Sequence, residues 1–236
     1  MNSAKDIIIK PISSQDANEI CRRIHYSGKV VLNSQLHLGV FLNGRCEGVM
    51  QFGPSMDKKK VITLVRDTKW NGFIELNRMA FSDVLPKNSE SRAIAIAIKL
   101  IKKNYPHIEW IISFADATQC GDGTIYRASG FVLSGIKKNT NIIKLSSGEI
   151  ACALTYGAHH ATKQNGKAGK PVGSTFLEGF QLRYIYFINK DAQKRLTVPI
   201  IPFSKIAELG ASMYKGKKRA TSIEDDASGY QPEEGS

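Results

Sequence analysis

The chain has 236 residues, 42% of them hydrophobic, which fits one sizeable core with a tail better than two domains. No apolar run reaches the ~20 residues that span a bilayer, which excludes an integral membrane helix and leaves no role for a membrane partner. The net charge is +12, yet residues 224–236 hold five acids and no base, so residues 1–223 carry 33 basic against 16 acidic side chains, an excess of +17. A surplus of that size points to a polyanion, nucleic acid ahead of a merely solvated basic face. The opening Met1–Asp6 has no secretory pattern, because Ile7-Ile8-Ile9 is too short for an apolar signal core. Cysteines 21, 46, 120 and 152 form no CxxC pair, against a zinc ribbon or a disulfide framework. The expected compartment is the reducing cytoplasm.

In chain order, Ser13 or Ser14 can cap a first helix with Ala17, Ile20, Cys21 and Ile24 at helical spacing. His25-Tyr26-Ser27-Gly28 falls where it stops. Leu36 to Leu42 and Cys46 to Phe52 read as strands joined at Asn43-Gly44, a hairpin signal because both residues tolerate positive φ. Phe73 to Phe81 reads as the next strand. Asn88 or Ser89 opens the best helix, with Ile94, Ala97, Ile98 and Ile101 on one face and Pro106 beyond its end. A buried strand follows at 108–115, then a short helix holding Tyr126, then a strand near Val132 to Ile136. Residues 139–175 turn rich in Lys, Gly, Ser, Thr and Asn and read as an inserted loop region. Phe180 to Ile188 returns to strand chemistry, and Leu196 to Phe203, broken by Pro199 and Pro202, reads as an edge or extended segment. The expected fold class is α/β, a mixed sheet with helices packed on it, over residues 1–215, followed by a disordered charged tail at 216–236.

Ser113 to Phe131 carries the chemistry. Asp116 ends a buried strand, where α/β sheets bind ligands, and a glycine-rich loop and a helical tyrosine follow it. Asp116 can accept a proton from an amine or, less pointedly, open an Asx-turn. His25, Tyr26 and Asp116 supply an imidazole, a phenol and a carboxylate, a set able to hold iron or to move protons; the alternative is a His that caps a helix and a Tyr that packs. Arg78 can clamp a phosphate or a carbonyl oxygen, or pair with Glu75 or Asp83. Ser89, Ser91 and Arg92 open the long helix, where backbone N–H groups attract anions. Cys120 reads as a buried small residue and His159-His160 as inert. Lys58, Lys59, Lys60, Lys137, Lys138, Lys217, Lys218 and Arg219 are candidate phosphate contacts.

Tyr126-Arg127-Ala128-Ser129-Gly130-Phe131 resembles the GCN5-related N-acetyltransferases (GNAT), in which a helical Tyr precedes a Gly-Phe pair. Further blocks resemble, in order, the Mom proteins of Mu-like bacteriophages: His25-Tyr26-Ser27, Leu36 to Phe41, Gly48 to Ser55, Glu75 to Ser82, Asn88 to Ala93 and Gly179 to Phe187. The resemblance spans roughly residues 20–215 and is weakest from 139 to 175. It implies a GNAT-like transferase that converts adenines of double-stranded phage DNA to N6-carbamoylmethyladenine and so shields the DNA from restriction enzymes. It also implies Tyr126 as the general acid and His25, Tyr26 and Asp116 on motif positions, with iron associated with the family. The superfamily grips coenzyme A with glycines at the start of the long helix; Lys87 to Ala93 has none, and Glu90 has the wrong charge for a pyrophosphate. Acetyl transfer alone cannot install NH–CH2–CO–NH2, so the donor is either acetyl-CoA acting with iron or a glycyl group from a donor such as glycyl-tRNA. A conventional acetyltransferase and a non-catalytic DNA-binding module are the rival readings.

Overall fold

The structure, a computed structural model, describes residues 2–119, 121–153, 156, 173–211, 213–214 and 217–218. Local signals set its first elements. Strand β1 (Ile8–Pro11) leads to helix α1 (Ser14–Ile24), where Ser13 Oγ accepts the Asp16 N–H at 3.0 Å and Ala17, Ile20 and Cys21 turn inward. Strands β2 (Leu36–Leu42) and β3 (Arg45–Gly53) form the expected hairpin, with Asn43 at φ 49° and Gly44 at φ 80° in its turn. A short helix α2 (Lys58–Ile62) precedes β4 (Phe73–Phe81), and α3 (Ser89–Asn104) buries Ala93, Ile94, Ala97, Ile98 and Ile101.

Strands β5 (Trp110–Asp116) and β6 (Val132–Lys138) flank the short helix α4 (Thr124–Ala128). Short strands β7 (Ile142–Lys144), β8 (Ile150–Cys152) and β9 (Thr175–Phe176) precede β10 (Phe180–Phe187), α5 (Lys190–Lys194) and α6 (Ser204–Glu208). β11 (Met213–Tyr214) then pairs with β12 (Lys217–Lys218). The main sheet has seven strands in the order β1-β2-β3-β4-β5-β10-β6. Every pairing in it is antiparallel except β4 with β5. Adjacent residues of β3 face opposite ways: Val49 packs with α1 and Met50 with α3, so helices cover both faces, as a mixed α/β sheet requires. A third apolar group holds Trp110 stacked on Phe73 at 4.3 Å.

One detail of that sheet makes the site. β4 and β5 pair only from Phe73↔Trp110 to Glu75↔Ile112, although both strands run on. Where the ladder stops, the buried Ser113 hydroxyl donates to the Leu76 carbonyl at 3.2 Å and replaces the lost backbone bond. Beyond this point the strands part and a cleft opens.

The described residues add detail to the expected boundaries. The stretch 139–175 is not loop throughout: β7 pairs with both β8 and β9, with Ile143 and Ala151 buried, strands too short for a composition reading to detect. Residues 154–155 and 157–172, including His159-His160, lie outside the described residues, as does Cys120. Lys217 and Lys218 stand in a short hairpin at the start of the expected tail, and Arg219 with the rest of that tail is outside the described residues. Finally, β1 and α2 had no expected counterpart, each being only a turn or a few residues long.

Candidate active site

The cleft between the diverging strands holds a cavity of about 370 Å³. Leu76, Asn77, Arg78 and Met79 of β4 form one wall and Phe114 and Ala115 of β5 the other. His25 and Tyr26 close it from the end of α1, and Asp122 to Tyr126 from the loop and first turn of α4. Sequence reasoning named Arg78, His25, Tyr26 and Tyr126 separately, and the fold brings all four to one cavity.

His25 caps α1, its N–H donating to the Cys21 carbonyl at 3.0 Å. Its Nδ1 accepts the Ser27 N–H at 3.1 Å and lies 2.8 Å from Ser27 Oγ. Burial, and then the nearby Arg78 cation, press the imidazole down to about 4, so the ring is neutral at neutral pH. With Nδ1 accepting from a backbone donor, Nε2 carries the proton and the ring is a hydrogen-bond donor. The Tyr26 ring packs tilted against it at 4.3 Å and is itself exposed. Arg78 makes no ion pair among the described residues, neither with Glu75 nor with Asp83. Its Nε and Nη1 donate to the Lys29 and Asn77 carbonyls at 3.3 and 3.0 Å, which fixes a full cation on the cavity wall. Tyr126 is buried, its ring 5.4 Å from Phe131 and 5.3 Å from Tyr184.

Asp116 sits differently. Its carboxylate accepts the Thr118 N–H at 3.0 Å, Gln119 Nε2 at 2.8 Å and Asn139 Nδ2 at 3.4 Å, an Asx-turn that ties the end of β5 to the end of β6. It stands beside the cavity, next to Ala115, and outside the described walls. The carboxylate that does line the cavity is Asp122, whose Oδ1 caps Thr124. This arrangement does not fit an iron site. His25 and Tyr26 line the cavity, whereas Asp116, its carboxylate held by Thr118, Gln119 and Asn139, stands outside it, so the three do not meet there as ligands. The Arg78 cation beside His25 also opposes a second cation there.

A second cavity, also about 370 Å³, lies at the start of α3 and shares Thr124 and Ile125 with the first. Asp83, Glu90, Lys87 and Ser91 line it. Ser89 is fully buried beneath with its Oγ unpaired among the described residues, Ser91 Oγ donates to the Asn88 carbonyl, and Arg92 reaches the Lys5 carbonyl. Of the three residues expected to grip an anion, only Ser91 faces this cavity.

Two features were missed by sequence reasoning. Tyr184 of β10 donates its hydroxyl to the Asp122 carbonyl, and burial pushes that phenol well above its ordinary range. Under the other wall, Ser55 Oγ donates to Glu75 at 2.5 Å, Ser34 Oγ donates to Asn77 Oδ1 at 3.1 Å, and burial raises the Glu75 carboxyl. Both depend on long-range strand pairing, which leaves no local signal.

Comparison with known proteins bears on this site. The model of the Mom protein family matches residues 6–205. The chain belongs to the Mom family. Its relative from Escherichia phage Mu, methylcarbamoylase Mom, is 38% identical over 203 residues, covering 84% of this chain and 82% of the relative. Solved structures similar to it include Arabidopsis thaliana NAA60 in complex with a bisubstrate analogue (TM-score 0.49, 13% identity, 78% of this chain and 99% of that one). Another is the IAA acetyltransferase of Bacillus cereus (TM-score 0.45, 12% identity, 77% and 99%). At that distance neither bears on the chemistry of this Mom-family site.

Proposed function

We propose that this Mom-family chain is a transferase that converts adenine in double-stranded phage DNA to N6-carbamoylmethyladenine, in the cytoplasm of the infected bacterium. The observation that carries the reading is the meeting of Arg78, Tyr126 and neutral His25 at one cavity, in a chain 38% identical to a methylcarbamoylase. Arg78 stabilises negative charge on an acyl carbonyl oxygen as a nucleophile adds. Tyr126 donates a proton to the departing oxygen as general acid. His25 donates from Nε2 to a substrate acceptor, and Asp116 holds the β5–α4 loop in place. An adenine amine reaches such a cavity once its base is flipped out of the duplex.

For the donor, we favour a glycyl ester over acetyl-CoA with iron. Asp83 and Glu90 outnumber Lys87 on the wall of the α3-side cavity and disfavour a pyrophosphate, and Asp116 stands apart from His25 and Tyr26 rather than joining them as a third ligand. A glycyl ester carried by tRNA suits the +17 excess of residues 1–223. Adenine N6 attacks the ester carbonyl, the C–O bond breaks, and the protonated tRNA hydroxyl leaves. The glycine amine then attacks C6 through a five-membered ring. Cleavage of the bond from C6 to the original nitrogen leaves that nitrogen as the terminal amide, with no oxidant consumed.

Nucleoside mass spectrometry of DNA from expressing cells tests the reading: deoxyadenosine heavier by one C2H3NO unit is expected. Glycine labelled at its amine should place the label on the nitrogen attached to C6. Unmodified deoxyadenosine despite intact protein would reject the function. Modified base without the label would reject the glycyl donor alone.

A further inference from the structure

Among the described residues the two most exposed large apolar side chains are Met56, 97% exposed, and Leu32, 88% exposed. A single exposed apolar residue needs no explanation. These two, however, rise from neighbouring loops on the same wall of the cavity. Leu32 belongs to the segment between His25 and β2, which Lys29 anchors through its carbonyl to Arg78 and Ser34 through its hydroxyl to Asn77. Met56 follows Pro54, whose carbonyl accepts Asn33 Nδ2 at 3.3 Å and Asn77 Nδ2 at 3.4 Å. Asn77 and Arg78 are cavity residues, so both loops are pinned to the place where a substrate base would enter.

The pinning is tight. A Cβ on Gly53 would meet Asn77 Oδ1 at 2.7 Å and the Asn33 carbonyl at 2.8 Å, so the two loops and β4 are in contact there. Shortly after Met56, Lys58, Lys59 and Lys60 open α2; Lys58 Nζ donates to Asn71 Oδ1 and lies over the Trp70 ring, while Lys59 and Lys60 are exposed and can neutralise backbone phosphates. Rigid loops, apolar tips and adjacent lysines together match what a duplex presents when one base is extruded: an apolar gap in the stack, bounded by phosphates.

We propose that Leu32 and Met56 form a wedge that enters the DNA stack and fills the gap left by the flipped target adenine. The proposal rests on the adenine-modifying reading. Apolar side chains inserted at a base step offset part of the unstacking energy and so hold the extrahelical state open. The wedge acts on the duplex and takes no part in the chemistry. It therefore matters only while the adenine must be prised from a partner.

The test uses the full chain and a duplex carrying a site that the unaltered protein is found to modify. In one duplex the target adenine pairs with thymine; in the other it faces an abasic site, which removes the pairing to be broken. Leu32→Ala with Met56→Ala should lower the modification rate on the paired duplex at least about tenfold, because the inserted side chains no longer offset unpairing. On the abasic-opposed duplex the rate should stay near that of the unaltered protein. The exchange Leu32→Met with Met56→Leu keeps apolar bulk and should restore the paired rate. Both sites are exposed, and an unchanged melting midpoint separates loss of the wedge from loss of the fold. Equal losses on the two duplexes, or no loss on either, would overturn the wedge while leaving the function standing. If no duplex site can be found that the unaltered protein modifies, the function and the wedge fall together.

Discussion

In the proposed reaction Tyr126 is the proton donor, and its surroundings make that role testable. Its ring is held between Phe131 and Tyr184, so Tyr126→Phe keeps every ring contact and removes one oxygen. We expect the melting midpoint and DNA affinity to hold while modification slows by the ~2.7–4 kcal/mol typical of a lost transition-state donor. Rate measurement under saturating DNA checks this, and an unchanged rate would reduce Tyr126 to a packing residue. At this scale the sequence pointed to residues that the fold brings to one cavity. Arg78 was named from residue type and strand position, and His25, Tyr26 and Tyr126 through the motifs that carry the family resemblance; all four line the cavity. Asp116 was named by the same reasoning, yet its carboxylate makes the Asx-turn set beside its catalytic reading. The strand end that favours a ligand also favours a turn, and only the third dimension tells which acid faces the cleft.

At the scale of elements, α4 is positioned by a glycine. Gly123 precedes its first turn at φ 76°, and a Cβ there would lie 2.6 Å from the Tyr184 ring. Gly123→Ala combines a left-handed backbone, costing ~1–2 kcal/mol for an L-residue, with a collision against a buried ring. It should therefore lower stability and displace Tyr126 together. Denaturant unfolding would reveal the first and a fallen rate at permissive temperature the second; a variant with unaltered midpoint would show that the loop yields freely. The long strands and helices were readable because hydrophobic periodicity and caps are local: Phe73–Phe81 has the bounds read from the sequence. The insertion of β10 between β5 and β6 was not readable, nor was the early parting of β4 from β5. These are properties of distant pairings, and they create the cleft.

For the whole molecule the question is how one duplex meets separated positive charge. Lys58 lies 5.8 Å from the Phe73 ring, near the start of β5 through the pair Phe73↔Trp110. Lys137 stands across from Gln181, which pairs with Asp116 at the other end of β5. Along the direction of that strand the two lysine groups are about 20 Å apart at ~3.3 Å per residue, and the cleft, walled by Phe114 and Ala115, lies toward the Lys137 end. If one duplex runs along this direction, the two groups span about half a helical turn of its phosphates. Binding to duplex DNA should then weaken steeply with salt, the log–log slope falling by about 0.9 for each phosphate contact removed. Replacing Lys58, Lys59 and Lys60 with Ala should flatten the slope, and so should replacing both Lys137 and Lys138 with Ala. Because the groups are far apart and share no partner, the two effects should add. Titration of each variant across a range of salt, by fluorescence anisotropy with a labelled duplex, measures this directly. If only one pair of slopes changes, DNA lies across one end of the sheet; if neither does, the basic excess serves a different polyanion, and the duplex is held elsewhere.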